Sequence, residues 1–464
     1  MQRRKLIKLT LSGVAIAPLF NLACNRLTSA NLPTKIERKS ESSSGDSMAI
    51  KVMVDWQTQQ SVTTPFIFGS NDYEIMKPQG DNDAVYQNIL AQLNIRLIRI
   101  HQANLSNEWS DPETKTWNAD KIKAGYDRSY PQKPTIIQNI TGWPQWMNQN
   151  ENGLLDPSEY DRYANFCAEL VDIINNRQQR QVTYWEPLNE QDVRYEKAGK
   201  LNELWEIYNR AATAMKAKDP SIKVGGPVLT WDEQYRLNYF LQVCGANVDF
   251  VSWHRYSTGD AKLPTDTLMS NTPNYGNQVR TFREVVNKNI RDRQIPLLLG
   301  EYNINYAWDS GETRQNTNIG AVWYASVLKH LSDAGIEMAT SWHLKDGIYG
   351  LIDPSNNLRP AANVFAWGIK YLNGKIMRTE TEDPSLEAMA VQPEEGKKSL
   401  LLINKSDKIA TLKLEGMQDF TDADTVSMLT LDETGTKEAT LSSETIKQGT
   451  LSLNPYSLVL LLKP

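Results

Sequence analysis

The stretch QVTYWEPLNE, residues 181–190, contains the pattern on which the fold prediction depends. Its first half is rich in the β-branched and aromatic residues that strands favour, whereas it ends with an amide and a carboxylate, Asn189 and Glu190. Pro and Asn are also common in ordinary strand-to-helix turns. The stretch therefore indicates a buried strand that ends in a turn, and the meaning of the polar pair depends on the rest of the chain.

Seven further short apolar stretches have the length of buried strands, and segments with apolar residues three and four positions apart lie between them. These strand candidates are FIFGS (66–70), IRLIRI (95–100), PTIIQNI (134–140), KVGGPVL (223–229), VDFVSWH (248–254), PLLLGEY (296–302) and EMATSWHL (337–344). Parallel neighbours need crossover connections, which helices usually supply. Eight strands that alternate with helices therefore predict an α/β fold, a parallel (β/α)8 TIM barrel, over residues 66–373.

The pattern changes after residue 373. Short strand-like stretches such as SLLLINKS (399–406) recur about every ten residues with turn residues between them. This spacing predicts a small C-terminal antiparallel β-sandwich domain over residues 374–464. AIKVMVDW (49–56) precedes the first barrel strand, and we assign residues 49–65 to a strand that joins the sandwich.

The N-terminus has the composition of an export signal. It begins MQRRKLIK and continues with an apolar stretch over residues 9–23, which is too short for a comfortable membrane-spanning helix. Arg3 and Arg4 resemble the twin-arginine motif, which directs export of folded proteins. Residues 1–30 are therefore predicted to be an export signal.

Two forms of the exported protein are compatible with this signal. Cys24 follows Leu22 and Ala23 as the acceptor cysteine of a lipoprotein does, so membrane attachment through a lipid on Cys24 is one alternative. Cleavage after Ala30 is the soluble alternative. Residues 31–48 are Ser-rich and charged, which predicts a disordered linker. Both forms would be periplasmic or lie at the cell surface.

Charge and cysteine content exclude several classes of function. The formal net charge is −5, and basic residues form no block beyond the extreme N-terminus, so we expect no nucleic-acid partner. Besides Cys24, the two remaining cysteines, Cys167 and Cys244, lie in apolar helical contexts where buried thiols are usual. No spacing typical of a metal site occurs, and the four histidines are scattered. We therefore expect neither a metal nor a cofactor.

The polar residues at the ends of the predicted strands form the candidate site, because chemistry in such barrels lies at the carboxyl ends of the strands. They are Arg99, His101, Asn189, Glu190, His254, Tyr256, Glu301 and Trp342. The two carboxylates, Glu190 and Glu301, follow strands four and seven and so lie on opposite sides of one barrel mouth. The alternatives are a surface salt bridge or helix N-cap for Glu301, a barrel ion pair for Arg99 and a satisfied core histidine for His254.

This set resembles the retaining glycoside hydrolases of clan A, whose acid/base lies on barrel strand four and whose nucleophile lies on strand seven. WEPLNE (185–190) and GEYNINY (300–306) resemble family 51 arabinofuranosidases. LIRIHQAN (97–104) and TSWHLKD (340–346) are more similar to family 39, which includes xylosidases. Gln191 replaces the usual Pro of family 39, and the Gly-Gly of family 51 is absent. The chain is thus closest to families 39 and 51 without matching either pattern completely.

The resemblance implies a retaining glycosidase that acts on oligo- or polysaccharides by double displacement, as xylosidases and arabinofuranosidases do. It implies Glu301 as the nucleophile and Glu190 as the acid/base. It also implies sugar-binding or supporting roles for the other members of the set: Asn189 toward the sugar 2-OH, Arg99 and Tyr256 toward the nucleophile, His254 beside Tyr256, and Trp342 as a platform. Four further residues near strand ends could line sugar subsites or could instead serve only in packing: His101, Trp143, Trp146 and Trp231.

A protein of another class remains as an alternative, a non-catalytic glycan-binding lipoprotein on a degenerate barrel. Degenerate sites usually lose a carboxylate, whereas this chain keeps both glutamates together with Asn189, Arg99 and Tyr256. A phosphate-handling barrel enzyme is less favoured, because no Gly-rich phosphate loop follows the predicted strands seven and eight.

Overall fold

Eight parallel strands form the barrel in this computed structural model, which describes residues 49–73, 83–102, 104–127, 132–422 and 424–463. The first eleven strands along the chain are β1 (Ile50–Thr63), β2 (Gly69–Asp72), β3 (Leu97–Ile100), β4 (Ser110–Asp111), β5 (Thr116–Trp117), β6 (Thr135–Asn139), β7 (Tyr184–Glu186), β8 (Lys223–Leu229), β9 (Phe250–Thr258), β10 (Leu297–Asn305) and β11 (Met338–Ser341). All except β1, β4 and β5 close into a barrel in the order β10-β11-β2-β3-β6-β7-β8-β9. Every neighbouring pair in this barrel is parallel, which confirms the predicted (β/α)8 fold.

The helices of the barrel region pack apolar residues against the barrel, and one further helix contacts strands of the C-terminal sheet. They are α1 (Asp83–Leu93), α2 (Leu105–Glu108), α3 (Ala119–Asp127), α4 (Tyr160–Val171), α5 (Asp192–Lys197), α6 (Leu201–Lys218), α7 (Gln234–Cys244), α8 (Thr265–Ser270), α9 (Pro273–Asn289), α10 (Asn318–Asp333), α11 (Pro360–Tyr371) and, later in the chain, α12 (Ser443–Gln448). In α6, for example, Leu204, Tyr208, Ala211 and Met215 are buried. Their spacing of three and four residues places them on one face, as the sequence pattern predicted.

Seven of the eight barrel strands differ from their predicted bounds, among them β2, β9 and β10. The stretch predicted as strand FIFGS begins with a short 3-10 helix, Pro65–Phe68, because Pro65 favours the first helical position and the Thr64 side chain caps the Phe66 N–H. The strand itself is β2, which starts at Gly69. β9 and β10 extend beyond their predicted ends to Thr258 and Asn305, so several site residues lie within strands rather than after them.

Apolar side chains from several strands fill part of the barrel interior. Leu97, Ile137, Phe250, Leu298 and Met338 form one buried cluster. Gly225 makes room for the largest of them, since a Cβ at this position would lie 2.4 Å from the ring of Phe250. The barrel is therefore a packed core, and in such folds ligands bind at the carboxyl end of the strands.

The C-terminal region forms a single nine-stranded sheet that includes β1. Its other strands are β12 (Gly374–Thr381), β13 (Leu386–Gln392), β14 (Ser399–Asn404), β15 (Ala410–Glu415), β16 (Thr425–Asp432), β17 (Gly435–Ser442), β18 (Thr450–Leu453) and β19 (Ser457–Leu462). The order is β17-β16-β19-β14-β13-β12-β1-β15-β18. β1 pairs antiparallel with β12 and parallel with β15, so this one pair departs from the antiparallel pattern.

The nine-stranded sheet encloses its own apolar core. Val426 near one end of the strand order and Leu412 near the other belong to the same cluster, together with Val52 and Leu402. Residues from distant strands can share a core only if the sheet curls over itself. The layered character expected of a sandwich therefore arises within one continuous sheet.

A buried network of charged residues joins the barrel to the sheet. The carboxylate of Glu387 on β13 accepts hydrogen bonds from Ser326 and His330 on α10 and from Lys405, at 2.6 Å for Ser326 Oγ and 2.8 Å for His330 Nε2. Burial alone would raise the pKa of Glu387, but the hydrogen bonds and charges of His330 and Lys405 outweigh burial and lower it to about 2. Glu387 therefore stays ionised at the contact between barrel and sheet.

Residues 47–464 form one compact unit. The predicted export signal (1–30), the linker (31–48) and Cys24 lie outside the described residues, and their assignments stay predictions. Within the part of the chain that the structure describes, no helix combines the length and apolar character needed to cross a membrane.

Candidate active site

The carboxyl ends of the barrel strands surround a cavity of about 550 Å³. The structure brings all eight predicted site residues together at this cavity. Six of them line it: His101, Asn189, Glu190, Tyr256, Glu301 and Trp342. The other two, Arg99 and His254, are fully buried and contact the lining glutamates.

Arg99, on β3, connects the two halves of the site. Its Nη1 donates to Glu301 Oε1 at 3.0 Å, and its Nη2 donates to Asn189 Oδ1 at 2.7 Å. The guanidinium is held in turn by Glu186 Oε2 at 2.7 Å from Nε and by Asn71 Oδ1 at 2.9 Å from Nη1. Because a guanidinium fork is rigid, these contacts fix the positions of Asn189 and Glu301 relative to each other.

Two of these partners were missed by the sequence analysis. Asn71 lies at the end of β2, so the criterion of polar residues at strand ends would have found it. Glu186 is fully buried within the WEPLNE motif, and no sequence signal separates its supporting position from a catalytic one. Asn139, at the end of β6, also supports the site, since its Nδ2 donates to Glu186 Oε2 at 3.0 Å and its Oδ1 lies 3.0 Å from His101 Nδ1.

Glu301, on β10, has a donor at each carboxylate oxygen. Tyr256 donates its hydroxyl to Oε2 at 2.9 Å, while Arg99 occupies Oε1. Burial raises the pKa of Glu301, and the charge of Glu190 would add to this increase, whereas Arg99 and the hydrogen bond from Tyr256 oppose it. These donors favour the charged form, which is the form that a carboxylate nucleophile needs.

Glu190 lies in a tight turn between β7 and α5. Its φ angle is +51°, a left-handed conformation that is uncommon for residues other than glycine. Its N–H donates to the carbonyl of Val228 at 3.1 Å, and Val228 is also left-handed, with φ +57°. Such conformations persist only where the surrounding structure holds them, and they are concentrated at functional sites.

Asp192 holds this turn, and the sequence analysis did not identify it. Its buried carboxylate accepts hydrogen bonds from the N–H of Thr230 at 3.0 Å and from the Thr230 hydroxyl at 2.7 Å. Arg236 donates to the other oxygen at 2.7 Å. Because Thr230 follows β8, Asp192 ties the Glu190 turn to the neighbouring strand.

His254 lies between the two glutamates. Its Nδ1 is 2.7 Å from Glu190 Oε1, and its Nε2 is 3.5 Å from Glu301 Oε1. Burial lowers the pKa of His254 to about 4; the Arg99 charge acts in the same direction and the Glu301 charge opposes it. The imidazole is therefore neutral at pH 7 and carries a single ring proton.

The surroundings of Glu190 favour its neutral form. Its side chain keeps 35% of its surface exposed, yet burial and then the charge of Asp192 raise the pKa to about 8, against the opposing charge of Arg99. A protonated Glu190 can donate to Nδ1 of neutral His254, which places the ring proton on Nε2, facing the Glu301 carboxylate. The site thus pairs a carboxyl group whose surroundings favour the protonated form, Glu190, with one whose hydrogen-bond donors favour the charged form, Glu301.

Glu190, His254 and Glu301 also form the group of potential metal ligands found among the described residues. One ligand atom of each lies within 4.8 Å of those of the other two. Arg99 pairs with both Glu301 and the buried Glu186, and its guanidinium occupies one oxygen of Glu301. The absence of a metal requirement stays a prediction.

An aromatic wall stands on the Glu301 side of the cavity. The half-buried Trp342 ring follows β11 and makes edge contacts with His101 at 5.2 Å and Tyr73 at 5.6 Å between ring centroids. The carbonyl of Trp342 accepts a hydrogen bond from Asn303 of β10, two residues after Glu301. These contacts hold an apolar ring beside the predicted nucleophile.

The three other tryptophans proposed to line subsites have different positions. Trp143 packs against Tyr163 and Tyr195, and Trp146 packs against Phe166, so both lie outside this cavity. Trp231 does line the cavity, with its ring 5.2 Å from that of Tyr306. Trp308, another lining residue, lies in a loop after β10, where sequence patterns gave no signal.

Comparisons with known proteins show which family this chain resembles. The model of glycosyl hydrolases family 39 matches residues 147–358, somewhat less than half of the chain. A β-xylosidase from Geobacillus stearothermophilus is 24% identical over 264 residues, which cover 50% of this chain and 52% of that protein. The chain thus spans about half the length of the curated relatives it matches.

Two solved structures show the same fold at low sequence identity. CelM2, a bifunctional glucanase-xylanase from a metagenome library, has a TM-score of 0.66 at 14% identity and covers 90% of this chain and 99% of its own. The family 51 arabinofuranosidase from Xanthomonas axonopodis pv. citri has a TM-score of 0.66 at 14% identity, covering 90% and 100%. Together the matches confirm the resemblance to clan A glycoside hydrolases near families 39 and 51.

Proposed function

We propose that this protein is a retaining glycoside hydrolase that cleaves O-glycosidic bonds of oligo- or polysaccharides, similar to xylosidases or arabinofuranosidases. The observation that carries the proposal is the position of its two glutamates. One carboxylate oxygen of Glu190 and one of Glu301 lie within 4.8 Å of each other. Retaining enzymes place their carboxyl groups about 5 Å apart, whereas inverting enzymes leave a gap of about 6.5–9.5 Å for a water molecule.

In the first step, Glu301 attacks the anomeric carbon and forms an ester as the glycosidic C–O bond breaks. Glu190 gives its proton to the departing oxygen, so the leaving group departs as a neutral alcohol. Asn189 accepts from Arg99 through Oδ1, which leaves its Nδ2 to donate to a sugar hydroxyl. A hydrogen bond to the sugar 2-OH strengthens as positive charge develops on the ring.

In the second step, Glu190 acts as the base. Esterification removes the charge of Glu301, and ionised Glu190 takes a proton from water as the water oxygen attacks the anomeric carbon. The ester bond breaks and returns Glu301 to its carboxylate form, with Glu190 protonated again. Two inversions at the same carbon give net retention of configuration.

A panel of aryl glycosides and polysaccharides, followed by NMR of the first-formed product, tests the proposal. We expect hydrolysis of at least one pentoside with the anomeric configuration retained. A first product of inverted configuration would contradict the assignment of Glu301 as nucleophile. Binding of polysaccharide without hydrolysis of any member of the panel would instead favour the glycan-binding alternative.

We also propose that the protein is exported, as a secreted protein or as a lipoprotein. The support is the sequence alone: paired Arg3 and Arg4, the apolar stretch over residues 9–23, and Cys24. Replacing both arginines by lysine is expected to leave the precursor in the cytoplasm, as cell fractionation would show. If Cys24 carries a lipid, Cys24→Ser releases the protein from membranes, and unchanged fractionation would favour cleavage after Ala30.

A further inference from the structure

A second group of aromatic residues lines the same cavity as Trp342, and the proposed chemistry does not use it. It consists of Trp231, Tyr306 and Trp308, which we call the outer wall. Trp308 is 69% exposed and Tyr306 is 53% exposed, although both are large apolar side chains. Exposed aromatic rings around a cavity are an apolar surface available to a ligand.

The protein holds the outer wall in place rather than leaving it loose. Tyr306 donates its backbone N–H to the carbonyl of Thr258 at 3.1 Å, which continues the pairing of β9 with β10. Its ring meets Trp231 in a T-shaped contact at 5.2 Å. Gly259 provides the space for this ring, because a Cβ there would lie 2.3 Å from the Tyr306 hydroxyl oxygen.

Trp231 connects the outer wall to the side of the predicted acid. Trp231 directly follows Thr230, which Asp192 ties to the Glu190 turn. The Trp342 wall, in contrast, is connected to Glu301 through Asn303. In a retaining reaction the nucleophile and the acid act on opposite faces of the anomeric centre, so the leaving group departs beside the acid.

We propose that the outer wall binds the sugar ring that leaves, that is, the second residue of an oligosaccharide chain. This inference rests on the proposed function and adds to it which residues hold the leaving sugar. The C–H face of a sugar ring is apolar and packs against indole and phenol rings, while the Tyr306 hydroxyl can bond to a sugar hydroxyl.

The test compares two substrates that share the same first sugar. A glycosyl fluoride has no leaving ring to stack, whereas an oligosaccharide has one. We expect Trp308→Ala and Trp231→Ala to lower kcat/KM for the oligosaccharide about five- to tenfold and to change that for the fluoride less than about twofold. Trp308→Phe keeps a stacking ring and is expected to retain about half of the activity on the oligosaccharide.

Ile409→Ala is the matched control, because Ile409 is 68% exposed but is not among the residues that line the cavity. It is expected to change neither rate. Equal losses on both substrates for the Trp308 and Trp231 variants would overturn the proposal, since they would indicate a general disturbance of the site. An unchanged rate on the oligosaccharide would overturn it as well.

A binding measurement separates this proposal from the proposed function. Calorimetric titration with the oligosaccharide avoids turnover if both proteins carry Glu301→Gln. The comparison is then between Glu301→Gln alone and Glu301→Gln combined with Trp308→Ala. We expect Trp308→Ala to weaken binding about five- to tenfold. If the wild type hydrolyses nothing while this weakening is observed, the outer wall is a sugar-binding site and the proposed function fails. If Trp308→Ala leaves binding of the oligosaccharide unchanged, the outer wall is not a sugar-binding site.

Discussion

Glu190 and Glu301 are the same residue type in different surroundings. Both oxygens of Glu301 have donors, one from the Arg99 cation and one from the Tyr256 hydroxyl. Glu190 has instead a neutral imidazole beside it and the like charge of Asp192 nearby. Donors and opposite charges stabilise a carboxylate, whereas burial and like charges stabilise the protonated acid. The two roles therefore follow from what each side chain contacts.

Replacement of each glutamate by alanine separates the roles. Glu301→Ala is expected to abolish turnover of all substrates, because no covalent intermediate can form. Glu190→Ala is expected to lower the rate on natural substrates by about 10²–10⁴-fold, while an activated aryl glycoside still forms the ester. Added azide needs no base, so it restores turnover of the aryl glycoside by Glu190→Ala and gives a glycosyl azide of retained configuration.

The control for these variants is Glu196→Ala, since Glu196 is a neighbouring glutamate that pairs with Arg236 outside the cavity. It is expected to stay within about threefold of the wild-type rate, as surface changes usually have small effects. Losses below about tenfold for both Glu190→Ala and Glu301→Ala would show that they are not the catalytic pair.

At the scale of elements, the turn between β7 and α5 decides where the acid lies. The turn is left-handed at Glu190, is bonded to Val228 and is tied to Thr230 through Asp192. Asp192 acts on the acid in two ways, because it holds the turn through hydrogen bonds and its charge helps to raise the pKa of Glu190. A single substitution can separate these effects.

Asp192→Asn keeps an oxygen acceptor for Thr230 and removes the charge. Glu190 must be protonated in the first step, so its pKa of about 8 sets the pH above which kcat/KM falls. The Asp192 charge disfavours ionisation of Glu190, and its removal therefore lowers that pKa. We expect the basic limb of the kcat/KM profile to move to lower pH in Asp192→Asn, measured from pH 5 to 9 with an oligosaccharide, whose poor leaving group needs the acid.

Glu196→Gln is the matched control for this profile. Glu196 contacts the same Arg236 as Asp192 does, but it is not among the groups that shift Glu190. Its basic limb is expected to coincide with that of the wild type. A basic limb in Asp192→Asn that stays in place, or moves to higher pH, would contradict the role given to the Asp192 charge.

The strands and turns also differ in how much of the site they allowed the sequence to predict. Polar residues at strand ends were identifiable because the barrel brings those ends to one mouth, and this placed Glu190 and Glu301 correctly together. The contact of Glu186 with Arg99 could not be predicted from the sequence. The role of a buried glutamate inside a strand depends on its partner, and that partner comes from another strand of the closed barrel. The bounds of β2 were misjudged because the local preference of Pro65 for a helical turn outweighed the apolar character of FIFGS.

At the scale of the whole molecule, the Glu387 network joins two regions that the sequence suggested were separate. Ser326 and His330 come from the barrel helix α10, and Glu387 and Lys405 come from the sheet. Removing one member of a buried charged network leaves its partners without compensation. The contact between barrel and sheet is therefore expected to contribute to the stability of both.

Glu387→Gln is expected to lower the free energy of unfolding by about 3 kcal/mol at pH 7. The pKa of Glu387 is lowered to about 2 in the folded protein, against about 4.3 for an unfolded glutamate. The ionised Glu387 therefore stabilises the folded protein at pH values above the pKa of the unfolded state. This stabilisation is lost as the pH falls through the pKa of the folded state. The difference between wild type and variant should therefore narrow from pH 7 to pH 3 in urea unfolding.

Glu415→Gln provides the comparison, because Glu415 pairs with Lys51 at 2.8 Å on the exposed surface of the same sheet. Exposed ion pairs contribute little, so we expect a change below about 0.5 kcal/mol. A loss for Glu387→Gln no larger than this would mean that the buried network adds nothing to stability. If the loss of stability in Glu387→Gln does not depend on pH, the charge of Glu387 is not the source of the stabilisation.

The position of β1 in the sheet has a consequence for the order in which the chain folds during synthesis. β1 emerges from the ribosome before the barrel, but both of its neighbours, β12 and β15, emerge after it. In the interval both edges of β1 carry unpaired backbone groups, which can pair with other chains. The C-terminal strands thus protect the nascent protein from aggregation by covering β1, and a chain stopped at the end of the barrel would keep β1 exposed.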